Sequence, residues 1–307
     1  MLKQYDCIAG KGEVKLGVFR SDAGREVYLR AYDTAMAELP RPSFAKDVPT
    51  SLGTVRAYGW TGSLADREPV VLLPGRSSGV PMWGENLSDL RASGRTIIAL
   101  DALGDAGMSV QTAPLNRFED QGTWVEEALK GLGLNRVHMV GHSFGGATSA
   151  AHALQHPARV ASLALLEPVF VFRRPPISMF FWALVSNLPV PKSWRDHALS
   201  AIGGVSVDDV RTTTPISVMI ETGSEHFAAA LPTPRRLNDG EWASLTMPVY
   251  VAIASHHSMA GGEPGAVRAR RIPHAMVDVW PHTTHSLPMQ VHEALAARLN
   301  TFWDNAR

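Results

Sequence analysis

Residues 137–146 read V-H-M-V-G-H-S-F-G-G. Residues suited to a buried strand run into G-x-S-x-G, and the next stretch, A-T-S-A-A-H-A-L-Q at 147–155, suits a helix. Strand, tight turn and helix are the setting in which a serine hydroxyl is lifted onto a sharp bend. The setting matters because that hydroxyl is a weak nucleophile until a neighbouring base takes its proton. Gly141, Gly145 and Gly146 leave room for the bend, where side chains would collide with the adjoining strand and helix. G-x-S-x-G alone recurs by chance, as a Gly-rich connection with an incidental serine. The flanking strand and helix point instead to Ser143 as a nucleophile.

Working outward, strand-like and helix-like segments alternate, which implies a mostly parallel sheet with helices on both faces. In 23–39 the residues Tyr28, Tyr32, Ala35, Met36 and Leu39 make a helical stripe. A turn at Ser51, Leu52 and Gly53 separates two short extended pieces. Strands are expected at 70–73, 96–100, 137–140, 160–166, 249–254 and 275–280, with helices at 119–132 and 291–303. Regularity breaks from 169 to 242, where prolines interrupt short amphipathic pieces. The expected organisation is therefore an α/β core at 1–168 and 243–307, with a helical cap inserted at 169–242.

Composition limits the function classes. In 307 residues, 45% hydrophobic and 19% charged, 29 basic and 29 acidic side chains cancel. That balance gives no electrostatic case for nucleic acid or an anionic membrane surface. The one cysteine, Cys7, excludes an internal disulfide framework. The opening M-L-K-Q-Y-D-C-I-A-G-K-G lacks the apolar core of a signal peptide. The apolar run at 177–190 carries Ser186 and Asn187, and at about 14 residues is too short for a spanning helix. A cytoplasmic protein without a membrane partner is the expectation.

Four stretches resemble the α/β-hydrolase superfamily. V-L-L-P-G-R-S-S-G-V-P-M-W at 71–83 resembles its oxyanion loop, and D-A-L-G-D-A-G-M-S at 101–109 its D-x-x-G-x-G-x-S loop. The elbow at 141–145 is the third, and P-H-T-T-H-S-L-P-M at 281–289 resembles its histidine loop. Within the superfamily, the N-terminal helix followed by a hairpin and the form D-x-x-G-D look most like bacterial carboxylesterases of the naproxen-esterase type. The resemblance implies an α/β-hydrolase fold with a helical cap.

It also implies a base. Among 12 histidines, His285 lies between the last strand and the last helix, where the family's histidine reaches the serine. His282 is the local rival. His142 flanks the serine and is expected to pack, pointing away from the nucleophile's partner. The third member departs from the pattern: the family's acid follows the strand at 249–254, and here that loop is S-H-H-S-M-A, which puts His257 at the acid's place. A histidine base needs an accepting partner on its second nitrogen. The alternative place known in the superfamily, after the strand following the elbow, holds Glu167, with Glu263 as runner-up.

By position, the backbone N–H groups of Phe144 and Arg76 would hold an oxyanion. Pro74 stands where the family has a histidine before Gly75, which puts the geometry of that loop in question. Gly75, His257, Phe181 and Trp182 are expected at the substrate pocket, along with Met179, Phe180, Leu184, Met219 and Phe227 of the cap. His256, His257, His282 and His285 lack the Cys or paired carboxylates of a metal set, and adjacent histidines point apart, so neither metal nor cofactor is expected. The expected activity is cleavage of small, largely apolar carboxylic esters. Thioesterase, lactonase or C–C hydrolase chemistry is the nearer alternative; a lyase, a cofactor-free enzyme or a ligand receptor is the more distant one.

Overall fold

In the computed structural model, which describes residues 15–64, 66–173, 181–182, 185, 190–204 and 206–306, the layering follows from period-two alternation in the strands. In chain order the strands are β1 (Val18–Phe19), β2 (Phe44–Thr50), β3 (Gly53–Trp60), β4 (Val70–Leu73), β5 (Ile97–Leu100), β6 (Val110–Gln111), β7 (Val137–His142), β8 (Val160–Leu166), β9 (Phe227–Ala228), β10 (Val249–Ala254) and β11 (Met276–Trp280). Among the described residues nine strands form one sheet in the order β11-β10-β8-β7-β4-β5-β3-β2, with β6 paired to β3. From β11 to β5 neighbouring strands are parallel; β3, β2 and β6 join antiparallel.

The central strands are apolar on both faces, as strands covered by helices on each side must be. Val71, Leu73, Met139, Leu163, Leu165, Val251 and Ile253 face one core, shared with the helices Glu119–Gly131, Phe144–Gln155 and Gly262–Ala269. Val70, Leu72, Val140, Ala164, Leu166, Tyr250 and Ala252 face the other, shared with Asp22–Ala37, Gly84–Arg91 and His292–Asn305. Leu72 is fully buried, and truncation to Ala at such a site costs about 2–5 kcal/mol.

The N-terminal helix Asp22–Ala37 starts where the Ser21 hydroxyl accepts the Gly24 N–H at 3.0 Å. It buries Tyr28, Tyr32 and Ala35 of the expected stripe. β2 and β3 form a hairpin about Ser51 and Leu52, with Thr50 opposite Gly53. Between β8 and β10 lie the helices Lys192–Gly203, Val207–Arg211 and Pro215–His226, the last started by Thr214 in a capping box with Pro215 in the first turn. Val171, Phe172, Leu237 and Trp242, near the two ends of the stretch between β8 and β10, belong to the first core, where the Phe172 and Trp242 rings stack at 4.9 Å. β1 and β9 pair antiparallel, tying the chain ahead of the N-terminal helix to the end of the helix Pro215–His226.

Candidate active site

β7 ends at His142 and the helix Phe144–Gln155 begins at Phe144, so Ser143 alone makes the corner. It does so at φ 53 and ψ −116, a conformation L-residues rarely adopt and one that persists only where the surroundings enforce it. Those surroundings are tight: a Cβ on Gly141 would lie 2.3 Å from the Gly145 carbonyl oxygen, and one on Gly145 would lie 2.2 Å from that of Leu73. Neither backbone atom can yield, which explains the glycines on both sides of the serine.

The corner presents Ser143 Oγ at 2.9 Å from His285 Nε2, and His285 Nδ1 stands 3.2 Å from Glu167 Oε2. Glu167 is fully buried directly after β8, at φ 48. Its Oε1 accepts the Ala254 N–H and the Ser258 hydroxyl, each at 2.7 Å, and its Oε2 accepts the Met259 N–H at 2.8 Å and more weakly the Ala260 N–H. Ser258 Oγ in turn accepts the N–H groups of Gly261 and Gly262, so its one hydrogen is committed to Glu167. The loop after β10, which carries no carboxylate, thus supplies donors to one placed directly after β8. With a carboxylate at Nδ1, the proton sits on Nδ1 and Nε2 is left to accept from the serine.

The other predicted residues fall at different distances from this trio. Glu263 is exposed and pairs with Arg270. His257 is exposed, at φ 43, and contacts Gly204 rather than the acid's partner. His282 is exposed and lies parallel to the His256 ring, 6.4 Å away. Phe181 is half exposed and meets the Trp182 ring edge-on at 5.1 Å. Met219 and Phe227 are buried in the second core, with Phe227 against Phe19. Met179, Phe180 and Leu184 lie outside the described residues. Gly75 abuts the corner, since a Cβ there would lie 3.4 Å from Ser143 Cβ and 3.0 Å from His142 Nδ1. Arg76 follows it, and Phe144 supplies the first amide of its helix, where N–H groups have no partner within the helix.

His142 corrects the expectation that it points away from the base. β7 continues through this residue, so His142 shares the face of Val140, the face on which the histidine loop lies. Its ring sits 4.9 Å from that of His285, and its Nε2 donates to the His285 carbonyl at 2.9 Å. Burial, followed by the neighbouring charge of His285, pulls its pKa down to about 3. A ring that stays neutral can brace His285 without repelling it when it becomes an imidazolium.

The family described as alpha/beta hydrolase fold matches residues 68–201. The structure superposes on the crystal structure of naproxen esterase (carboxylesterase NP) from Bacillus subtilis with a TM-score of 0.83, covering 92% of this chain and 99% of that one at 22% identity. The chain is an α/β-hydrolase-fold protein. In sequence the chain is 24% identical over 283 residues to carboxylesterase YbfK of Bacillus subtilis, 90% of this chain and 93% of the relative. It is 25% identical over 247 residues to the uncharacterized carboxylesterase nap of the same organism, 78% and 80% of the two chains.

Two aspartates, neither of them marked as a site residue by the sequence, brace the loop after β4. Asp101 accepts the Val80 N–H, the Met108 N–H and the Tyr32 hydroxyl, each at 2.8 Å. Asp105 accepts the Ser77 N–H at 2.6 Å and the Ala106 N–H at 2.9 Å. Burial raises the pKa of both, and the charge of Arg76 is the main force opposing this at Asp105. The loop passes through positive φ at Ser77 and Gly79, and these carboxylates hold it there without a histidine before Gly75. The D-x-x-G-D spacing was the available signal. Among the described residues no helix is long and apolar enough to cross a membrane, and no group of three or more His, Cys, Asp or Glu side chains could hold a metal ion.

Proposed function

We propose that the chain is a serine hydrolase of small, largely apolar carboxylic esters, acting through an acyl-enzyme on Ser143. The observation that carries this reading is His285 bridging Ser143 Oγ at 2.9 Å and Glu167 at 3.2 Å, on a corner strained at φ 53. The likeness to carboxylesterases supports the choice of esters.

In this reading His285 Nε2 takes the Ser143 proton as Oγ attacks the ester carbonyl carbon, and Glu167 steadies the resulting imidazolium through Nδ1. The carbonyl oxygen becomes an oxyanion facing the N–H groups of Phe144 and Arg76. The tetrahedral intermediate collapses, the proton on Nε2 passes to the departing alkoxide, and an alcohol leaves. Water then enters, gives its proton to Nε2 and attacks the acyl-serine. The second collapse returns the proton to Ser143 Oγ and releases the acid.

Intact-mass measurement after treatment with a fluorophosphonate tests the nucleophile: one adduct on the wild type and none on Ser143→Ala is expected. Equal labelling of the two would sink the assignment. A panel of p-nitrophenyl esters, thioesters and lactones tests the substrate class, and a preference for lactones or thioesters over esters would overturn it.

A further inference from the structure

The carbonyl of Gly203, last residue of the helix Lys192–Gly203, has two hydroxyl partners: Thr284 Oγ1 donates at 3.1 Å and Ser286 Oγ at 3.2 Å. These residues stand on either side of His285. A helix's last carbonyls have no partner within the helix, so this one can hold a second element. The next residue, Gly204, turns left-handed at φ 68 and is wedged in place: a Cβ on it would lie 2.7 Å from the His257 Cβ and 2.8 Å from the Thr284 Cβ. The helix therefore ends against two loops at once, the one that cradles Glu167 and the one that carries His285. Gln290 Oε1 accepts the Thr284 N–H at 2.8 Å.

We infer that Thr284 and Ser286 are positioning residues that latch the inserted helix Lys192–Gly203 to the histidine loop, so that His285 reaches Ser143 only while that helix is seated. The inference rests on the nucleophile and base proposed above. His285 lies between the two latched residues, so a shift of the helix reaches the imidazole through one peptide on each side. Misplacing a reacting group by 1 Å can cost about 100-fold in rate. The helix is then part of the reaction machinery: whatever lifts it withdraws the base.

The test compares second-order rates of Ser143 labelling by diisopropyl fluorophosphate, a probe too small to depend on an extended pocket. In the double variant Thr284→Val, Ser286→Ala the rate should fall about 10- to 100-fold while the unfolding midpoint moves by no more than about 3 °C. Thr284→Ser, which keeps the hydroxyl, should label within about twofold of wild type. Gly204→Ala, acting from the helix side, should slow labelling as the double variant does, and it decides the matter if the double variant does not fold. Labelling of the folded double variant and of Gly204→Ala at the wild-type rate overturns the latch and leaves the nucleophile standing. Failure of the wild type to label on Ser143 overturns both.

Discussion

Glu167→Gln replaces one carboxylate oxygen by an amide that donates. Every partner of Glu167 is a donor: Ala254 N–H and Ser258 Oγ–H at Oε1, and Met259 N–H, more weakly Ala260 N–H, and His285 at Oε2. Ser258 cannot reverse its bond, because its oxygen already accepts from Gly261 and Gly262. With the NH2 at the Oε1 position, two buried donors face a third. With the NH2 at the Oε2 position, it opposes Met259 and can only donate to His285 Nδ1, which moves the imidazole proton to Nε2 and leaves no base for Ser143. Each donor left unsatisfied costs about 1–3 kcal/mol, so the folded state should lose about 2–6 kcal/mol, readable as a lower urea midpoint. Where the wrong tautomer prevails, kcat should fall about 10⁴-fold, equivalent to about 5 kcal/mol at the transition state. The assay is kcat and KM on a p-nitrophenyl ester beside urea unfolding of the same preparation. A Gln variant with kcat within tenfold of wild type would refute the reasoning, whatever its stability.

Ser143→Ala and His285→Ala should each lower kcat by several thousand-fold or more, and the double variant by little more than either, since groups acting as one unit are not additive; His282→Ala, an exposed ring off this path, should be mild, and a reversed order of the two histidine variants would refute the assignment. Asp105→Asn sets an amide where both oxygens accept N–H groups, so the loop bearing Arg76 should loosen, with kcat down about 10- to 100-fold and KM little changed, short of the loss of an oxyanion donor outright; equal loss in kcat and gain in KM would speak against it. Burial lowers the pKa of His138 and His152 to about 4 and of His142 to about 3, below the value near 6.5 of an unfolded histidine. Between those values the unfolded chain binds more protons, so stability is full above pH 6.5 and falls as the solution is acidified, by about 2 kcal/mol per histidine at pH 5; thermal melts that do not shift down between pH 7 and pH 5 would contradict this.

The sequence made much of this legible. Strands buried on both faces read as continuous apolar runs, which is why β4, β8 and β10 stand at or within a residue of their expected limits. Glu167 could be singled out because the loop after β10 has no acidic residue and a strand end two strands earlier in the chain has one. Other features left no local trace. β1 and β9 are two-residue strands whose pairing joins Phe19 to Phe227, and two residues carry no periodicity. The direction of His142 turned on β7 running two residues beyond Val140, and the end of a strand is set by its neighbours rather than by its own residues. In sequence Ser258 is indistinguishable from any loop serine, because what commits its hydrogen is a pair of glycine amides that fold back onto it.

Having the carboxylate that partners His285 directly after β8 changes what the loop after β10 must encode. Ala254, Met259 and Ala260 serve Glu167 through their backbone amides, so their side chains are unconstrained by that duty, and only Ser258 contributes a side-chain atom. A search that recognises such enzymes by an acidic residue at the usual address would discard this chain as inert. One written around the loop's shape, with a hydroxyl followed by two glycines and a carboxylate one strand away, would retrieve it and any chain that has made the same exchange.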